Sequence, residues 1–186
     1  MRWVARSWST SGCRADAYHA PVIVLGIDPG TASCGFGVVA FEAGHLRFVD
    51  AGVVHTSPAR TDGDRLTELE AALSGLVAQH RPERLSVERL FFQRNVQTAM
   101  AVGQARGVAL LVGAHAGIPI DEPTPNELKQ AVCGNGAANK RQVAAMVERL
   151  LGVSLAGAAD DATDALAAAI GSCYRAGAQA RLAASR

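Results

Sequence analysis

No stretch of this chain approaches the ~20 uninterrupted apolar residues that a membrane-spanning helix needs. That argues against a bundle of such helices. A strong charge of either sign is missing too: 18 Lys and Arg stand against 17 Asp and Glu, a net charge of +1. Nucleic-acid binders are often more basic, so composition does not point to DNA. It still leaves room for a basic face beside an acidic pocket. Cysteine pairs are absent as well. Cys13, Cys34, Cys133 and Cys173 are far apart, with no CxxC or Cys/His ligand spacing. A disulfide framework or a zinc site is therefore not expected, and the four read as reduced thiols of a cytoplasmic protein. The five histidines (His19, His45, His55, His80 and His115) are equally scattered. There is no internal repeat and no long linker.

What is present is a chain of 186 residues, 49% of them hydrophobic. That length suits one domain, and that composition can bury a core without crosslinks. Residues 1–20 stand apart, with Arg2, Arg6, Arg14 and several serines but no apolar core of a secretory signal. They are expected to be a disordered extension. The folded domain is expected over 21–176, and a flexible tail over 177–186.

The apolar run VIVLGI (22–27) stops at Asp28-Pro29-Gly30, which reads as a buried strand and a turn. CGFGVVAFEAG (34–44) and LRFVDAGVVHT (46–56) read as two further strands, and short connections make the three an antiparallel meander. Leu66, Leu69, Leu73, Leu76 and Val77 then recur at helical spacing over 62–80, closed by Pro82. RLSVERLFF (84–92) predicts a fourth strand, 95–116 a long helix, and IPIDEP (118–123) a short strand. Helices are expected at about 126–132 and 139–151, and a last one from Asp160 to about Tyr174. The order β-β-β-α-β-α-β-α-α-α indicates one mixed α/β domain.

Against that frame, certain carboxylates are out of place. Asp28 ends an apolar strand, where an unpaired charge is costly; a turn aspartate before Pro-Gly explains it equally well. Glu88 repeats the pattern in LSVE, where a surface position on an edge strand is the alternative. If the two strands are neighbours, both acids reach one end of one sheet, the end at which open α/β sheets bind ligands. Asp161 and Asp164 share a helix face at i, i+3, although acids at a helix start also suit its dipole and N-cap. Four carboxylates from three elements cannot converge without compensation. Divalent metal is the usual answer, and Mg²⁺ favours carboxylate and water oxygens. Two such ions about 4 Å apart can hold the attacking and leaving oxygens of a phosphoryl displacement.

Three segments make the sequence recognisable: LGIDPGTASCGFGVV (25–39), SVERLFFQRNVQTAMAVGQARGV (86–108) and DATDALAAAI (161–170). In that order and spacing, the chain resembles the RuvC family of bacterial Holliday-junction resolvases over about residues 22–174. The resemblance implies a ribonuclease-H-like fold, a five-stranded mixed sheet with its first three strands antiparallel, flanked by helices. It implies that Asp28, Glu88, Asp161 and Asp164 are catalytic and bind metal, two Mg²⁺ per subunit with Mn²⁺ as a substitute. Some relatives carry histidine at the position of Asp161. Asp160 is left out, because DATDALA aligns through Asp161. Lys129 and Lys140 match basic residues near the scissile strand, and Phe91 matches an aromatic that contacts bases at the junction centre. Phe92, Arg94, Asn95 and Arg141 complete the expected DNA contacts. Phe91 and Phe92 are adjacent, so on a strand they point to opposite faces. Gly103 and Gly107, with Ala105 and Ala109, make a smooth helix face, which the resemblance assigns to a homodimer contact and which close packing onto the protein's own sheet explains as well.

The expected activity is paired, symmetric nicking of four-way junction DNA in recombination and repair, leaving 5′-phosphate and 3′-hydroxyl ends. RuvA and RuvB are the expected partners. Three rivals remain: a nuclease of the same fold acting on another branched or RNA substrate, a non-catalytic DNA-structure-binding protein, and an ATP-binding domain of the actin-like and sugar-kinase group. IDPGT resembles that last group's first phosphate loop, but no second Asp-x-Gly motif appears.

Overall fold

The computed structural model describes residues 21–89 and 96–185. Phe91, Phe92, Arg94 and Asn95 lie outside them, as does the 1–20 extension. The elements run β1 (Val22–Asp28), β2 (Ser33–Glu42), β3 (His45–His55), α1 (Asp62–His80), β4 (Arg84–Val87), α2 (Val96–His115), β5 (Ile120–Asp121), α3 (Pro125–Cys133), α4 (Lys140–Leu151) and α5 (Asp160–Ala184). The strands form one sheet in the order β3-β2-β1-β4-β5. β1, β2 and β3 pair antiparallel, whereas β4 joins β1, and β5 joins β4, in parallel. The mixed five-stranded sheet expected from the sequence is therefore present.

Alternation along the strands separates two apolar layers. Leu25, Ile27, Cys34, Val38, Leu85 and Val87 face α1 and α2, where they meet Leu69, Leu73, Ala105, Ala109 and Val112. Val24 and Val39 face the other way, with Leu166 and Ile170 of α5 and Val143 and Val147 of α4. The meander, βαβ crossover and two helical layers are those of a ribonuclease-H-like fold.

On the α5 side the sheet has almost no side chains at its centre. A Cβ placed on Gly26 would lie 2.0 Å from the Ala165 carbonyl oxygen, one on Gly35 2.0 Å from that of Asp161, and one on Gly37 2.7 Å from the Leu166 nitrogen. These glycines form a lane in which α5 rests with its backbone directly on β1 and β2. Across the sheet edge, buried Asp121 accepts from Arg84 at 3.1 and 3.2 Å and from the Ser172 hydroxyl, tying β5 to β4 and α5. A buried carboxylate requires such partners.

Three boundaries differ from the sequence expectation. β4 ends at Val87 rather than at residue 92: its pairing with β5 stops at Ser86 and that with β1 stops at Val87. β5 is that short because Pro119 and Pro123 bound it and supply no amide hydrogen. α5 does not stop near Tyr174 but continues to Ala184. Its last turns, AGAQARLAA, are polar enough to leave the core yet, Gly177 apart, consist of good helix formers and hold no proline.

Candidate active site

β1 and β4 are parallel neighbours, with Ile27 opposite Val87. Asp28 and Glu88 therefore leave the sheet at the same end. By alternation both follow an apolar-layer residue and point toward α5. The glycine lane then sets the height of α5, so its first turns bring Asp161 and Asp164 over the same edge. The structure thus gathers all four acids. The capping explanation for Asp161 fails: the N-cap of α5 is Ala159, without a side-chain cap bond. The Asp161 carboxylate instead accepts from the hydroxyl of Ser33 on β2.

The electrostatics are those of crowded like charges. Burial, then Asp164, Glu88 and Asp161, push the Asp28 carboxyl from the ordinary 3.8 up to about 7, and Lys140 opposes them. Glu88 is also raised, by burial first and Asp164 second, with Lys129 and Lys140 acting against the shift. The Lys140 ammonium lies among the acids, 3.0 Å from Asp164 and 3.2 Å from Asp160. Asp160, which the DATDALA motif does not include, is thus a partner of that lysine. Among the described residues no three acids, histidines or cysteines already stand close enough together to hold one metal ion. As a donor set the acids fit a hard divalent cation: all are oxygen donors, and what they lack is positive charge.

Glu88, Asp164, Lys129 and Lys140 line a cleft of about 260 Å³ with Pro125, Leu128, Val143 and Ala167. Lys129 and Lys140, which the resemblance matches to basic residues near the scissile strand, thus lie beside Glu88 and Asp164. Arg141 is exposed on the first turn of α4 but does not line this cleft. The capping boxes at Thr124 and Asn139 fix how α3 and α4 begin, and so hold both lysines.

Two contacts went unread in the sequence. Ser33 lies in the ASC stretch after the IDPG turn, and its hydroxyl has no local signature. Arg106, within GQARGV, donates to the Glu88 carbonyl oxygen at 3.4 Å and pairs with Glu122. It therefore links α2 to the chain segment that carries Glu88.

The family model for crossover junction endodeoxyribonuclease RuvC matches residues 24–172. The chain belongs to the RuvC family. A RuvC crossover junction endodeoxyribonuclease of Chloroflexus aurantiacus is 50% identical over 152 residues, 82% of this chain and 93% of the relative. One from Salinispora arenicola is 49% identical over 163 residues, 87% and 93% of the two chains. Among solved structures, Thermus thermophilus RuvC in complex with Holliday junction substrate superposes with a TM-score of 0.78 at 37% identity, covering 83% of this chain and 94% of that one. The RuvC match spans the acids, the glycine lane and GQARGV alike, so the expected family and fold hold.

The described part of α2 shows two faces. Ala105 and Ala109 are buried on the protein's own sheet. Gly103 and Gly107 are exposed on the opposite side, and a Cβ on Gly107 would meet nothing within 4 Å. The alternative of close packing onto its own sheet therefore holds for the alanines and not for the glycines. No helix among the described residues is long and apolar enough to cross a membrane.

Proposed function

We propose that this RuvC-family chain is a Holliday-junction resolvase that makes paired, symmetric nicks in four-way DNA, with Asp28, Glu88, Asp161 and Asp164 holding the catalytic cations. The observation that carries this reading is the meeting of four carboxylates from two strand ends and one helix at a single sheet edge. Two Mg²⁺ ions bound there, with Mn²⁺ as a substitute, would supply the charge that activates water and stabilises the leaving oxygen. Asp28 and Glu88 provide one half of the site: Asp28 ends β1, and Glu88 follows directly on β4 with its carbonyl oxygen held by Arg106. Asp161 and Asp164 provide the other half from one helix face. Lys140 exchanges its carboxylate partners for a phosphate oxygen of the incoming strand, and Lys129 flanks the same cleft. Phe91, Phe92, Arg94 and Asn95 belong to the segment that follows Glu88, where the family resemblance puts the contacts to the junction centre. Arg141 extends the basic rim of an otherwise near-neutral chain. Hydrolysis leaves 5′-phosphate and 3′-hydroxyl ends.

Incubation with a synthetic four-way junction and a linear duplex, in Mg²⁺ or EDTA, tests the activity. Paired nicks are expected in the junction alone, and only with metal. Cleavage that persists in EDTA overturns the metal reading. Equal cleavage of the duplex, or preference for an RNA substrate, transfers the site to a different nuclease activity.

Two sites must work together for the nicks to be symmetric, which a two-fold dimer provides. Met100 (67% exposed), Gly103, Gly107 and Leu111 (49% exposed) follow one another down the outer face of α2 at helical spacing. This apolar, smooth stripe suits a second copy of the helix. Gly107→Arg is expected to turn a sedimenting dimer into a monomer and paired nicks into single ones. A variant that stays dimeric moves the interface elsewhere. On the same family reading, the protein works in the cytoplasm on junctions delivered by RuvA and RuvB; recovery of the chain on a RuvA–RuvB–junction complex tests that placement.

A further inference from the structure

Of the four acids, Asp161 has the least secure footing in its own element. It lies in the first turn of α5, beyond an N-cap, Ala159, whose methyl group makes no cap hydrogen bond. β1 holds Asp28, Arg106 donates to the carbonyl oxygen of Glu88 just beyond β4, and Lys140 pairs with Asp164. Asp161 is instead met by a hydroxyl from the far end of the sequence, Ser33 on β2.

That hydroxyl is placed by a well-tied loop. Gly30 permits the turn after β1, since a Cβ there would strike the Ser33 carbonyl oxygen at 2.2 Å. Buried Thr56 donates its hydroxyl to the Thr31 carbonyl oxygen and its amide to that of Ala32 at 3.3 Å, and Arg65 donates to the Thr56 hydroxyl at 2.9 Å. Two residues beyond Ser33 on the same face, Gly35 lets the backbone of Asp161 lie against β2. The reach from Ser33 to Asp161 is therefore set from both sides. A serine hydroxyl has one proton to donate. It goes to Oδ2 of Asp161, leaving Oδ1 and the remaining lone pairs free for a cation. Partners behind a ligand orient it and raise its affinity for metal. Without this one, the carboxylate can turn away from Asp28, which repels it.

We propose that Ser33 is a positioning residue that holds the Asp161 carboxylate in its cation-binding orientation, an inference that rests on the reading of Asp161 as a ligand. Titration of the full-length protein with Mn²⁺ in the absence of DNA, followed by electron paramagnetic resonance, tests it directly. Ser33→Ala is expected to weaken Mn²⁺ binding by about tenfold and to raise the Mg²⁺ concentration for half-maximal cleavage by a similar factor. Its melting temperature and its junction binding in EDTA should match wild type. Ser33→Thr keeps the hydroxyl and should keep wild-type affinity. Asp161→Asn should weaken Mn²⁺ binding at least as much, and adding Ser33→Ala to it should change nothing more. Wild-type affinity in Ser33→Ala, beside a weakened Asp161→Asn, overturns the role of Ser33 alone. Wild-type affinity in Asp161→Asn overturns the ligand reading and this inference with it. A loss in Ser33→Thr equal to that in Ser33→Ala, or a further loss in the double variant, shows that the serine acts by another route.

Discussion

Asp28→Asn is expected to abolish junction cleavage while making the metal-free protein more stable. The catalytic loss should be about a thousandfold, the equivalent of about 4 kcal/mol of cation-mediated transition-state stabilisation. The gain in stability follows from the raised carboxyl. Asp28 titrates near 7 in the folded protein against 3.8 ordinarily, so between those values the folded state holds a proton that the unfolded state has lost. Its contribution to stability is full below about pH 4, declines as pH rises, and is gone above about 7. Asparagine has no charge to bury. In EDTA at pH 7.5 the variant should be more stable by about 1–3 kcal/mol, a rise of about 5 °C in melting temperature. Near pH 4 the two proteins should melt together. Saturating Mg²⁺ should narrow or reverse the difference, since a cation stabilises only the form that binds it. Thermal unfolding at both pH values, with EDTA and with Mg²⁺, checks each part. Wild type melting above the variant in EDTA at pH 7.5 would refute the account.

Gly35→Ala should do more damage than any exposed glycine substitution. Its Cβ would sit 2.0 Å from the carbonyl oxygen and 2.3 Å from the carbonyl carbon of Asp161, both main-chain atoms that cannot rotate aside. Helix α5 must lift off the sheet by about 1 Å, a strain of about 3 kcal/mol or more. A loss of about 10 °C in melting temperature is expected. The same shift carries Asp161 and Asp164 away from Asp28 and Glu88, and displacement of that size costs about a hundredfold in rate. Gly75→Ala is the control: it is an exposed position in α1 with nothing within 4 Å of its Cβ. There alanine should add about 0.5–1 kcal/mol, because it is the better helix former. If Gly35→Ala melts like wild type, α5 does not rest on the sheet as described.

Much of this was legible in the residues. Asp28 and Glu88 stand out because each interrupts an apolar strand, and apolar strands with a period of two can be read locally. The helix carrying Asp164 is equally plain. Which acid of the Asp160–Asp161 pair turns inward was not legible from the pattern; the family motif selects Asp161, and the structure turns it toward Ser33. The pairing of Lys140 with Asp160 and Asp164, the hydroxyl of Ser33 and the donation from Arg106 to the Glu88 carbonyl all join residues distant in sequence. The glycine lane is the clearest case. Gly26, Gly35 and Gly37 look like scattered flexible positions until strand register brings them together under one helix. The extension of α5 to Ala184 was missed for a different reason: a polar, alanine-rich stretch reads as tail or helix depending on whether a helix is already there to extend.

That lane also separates two kinds of evolutionary freedom. Where main chain meets main chain, the spacing between α5 and the sheet is set by atomic radii shared by all residues. The aliphatic layers around Leu69, Leu73, Val143 and Val147 can then exchange one shape for another, and the carboxylates keep their separation. The chain can drift widely in its interior and still present an unchanged set of oxygens at the sheet edge.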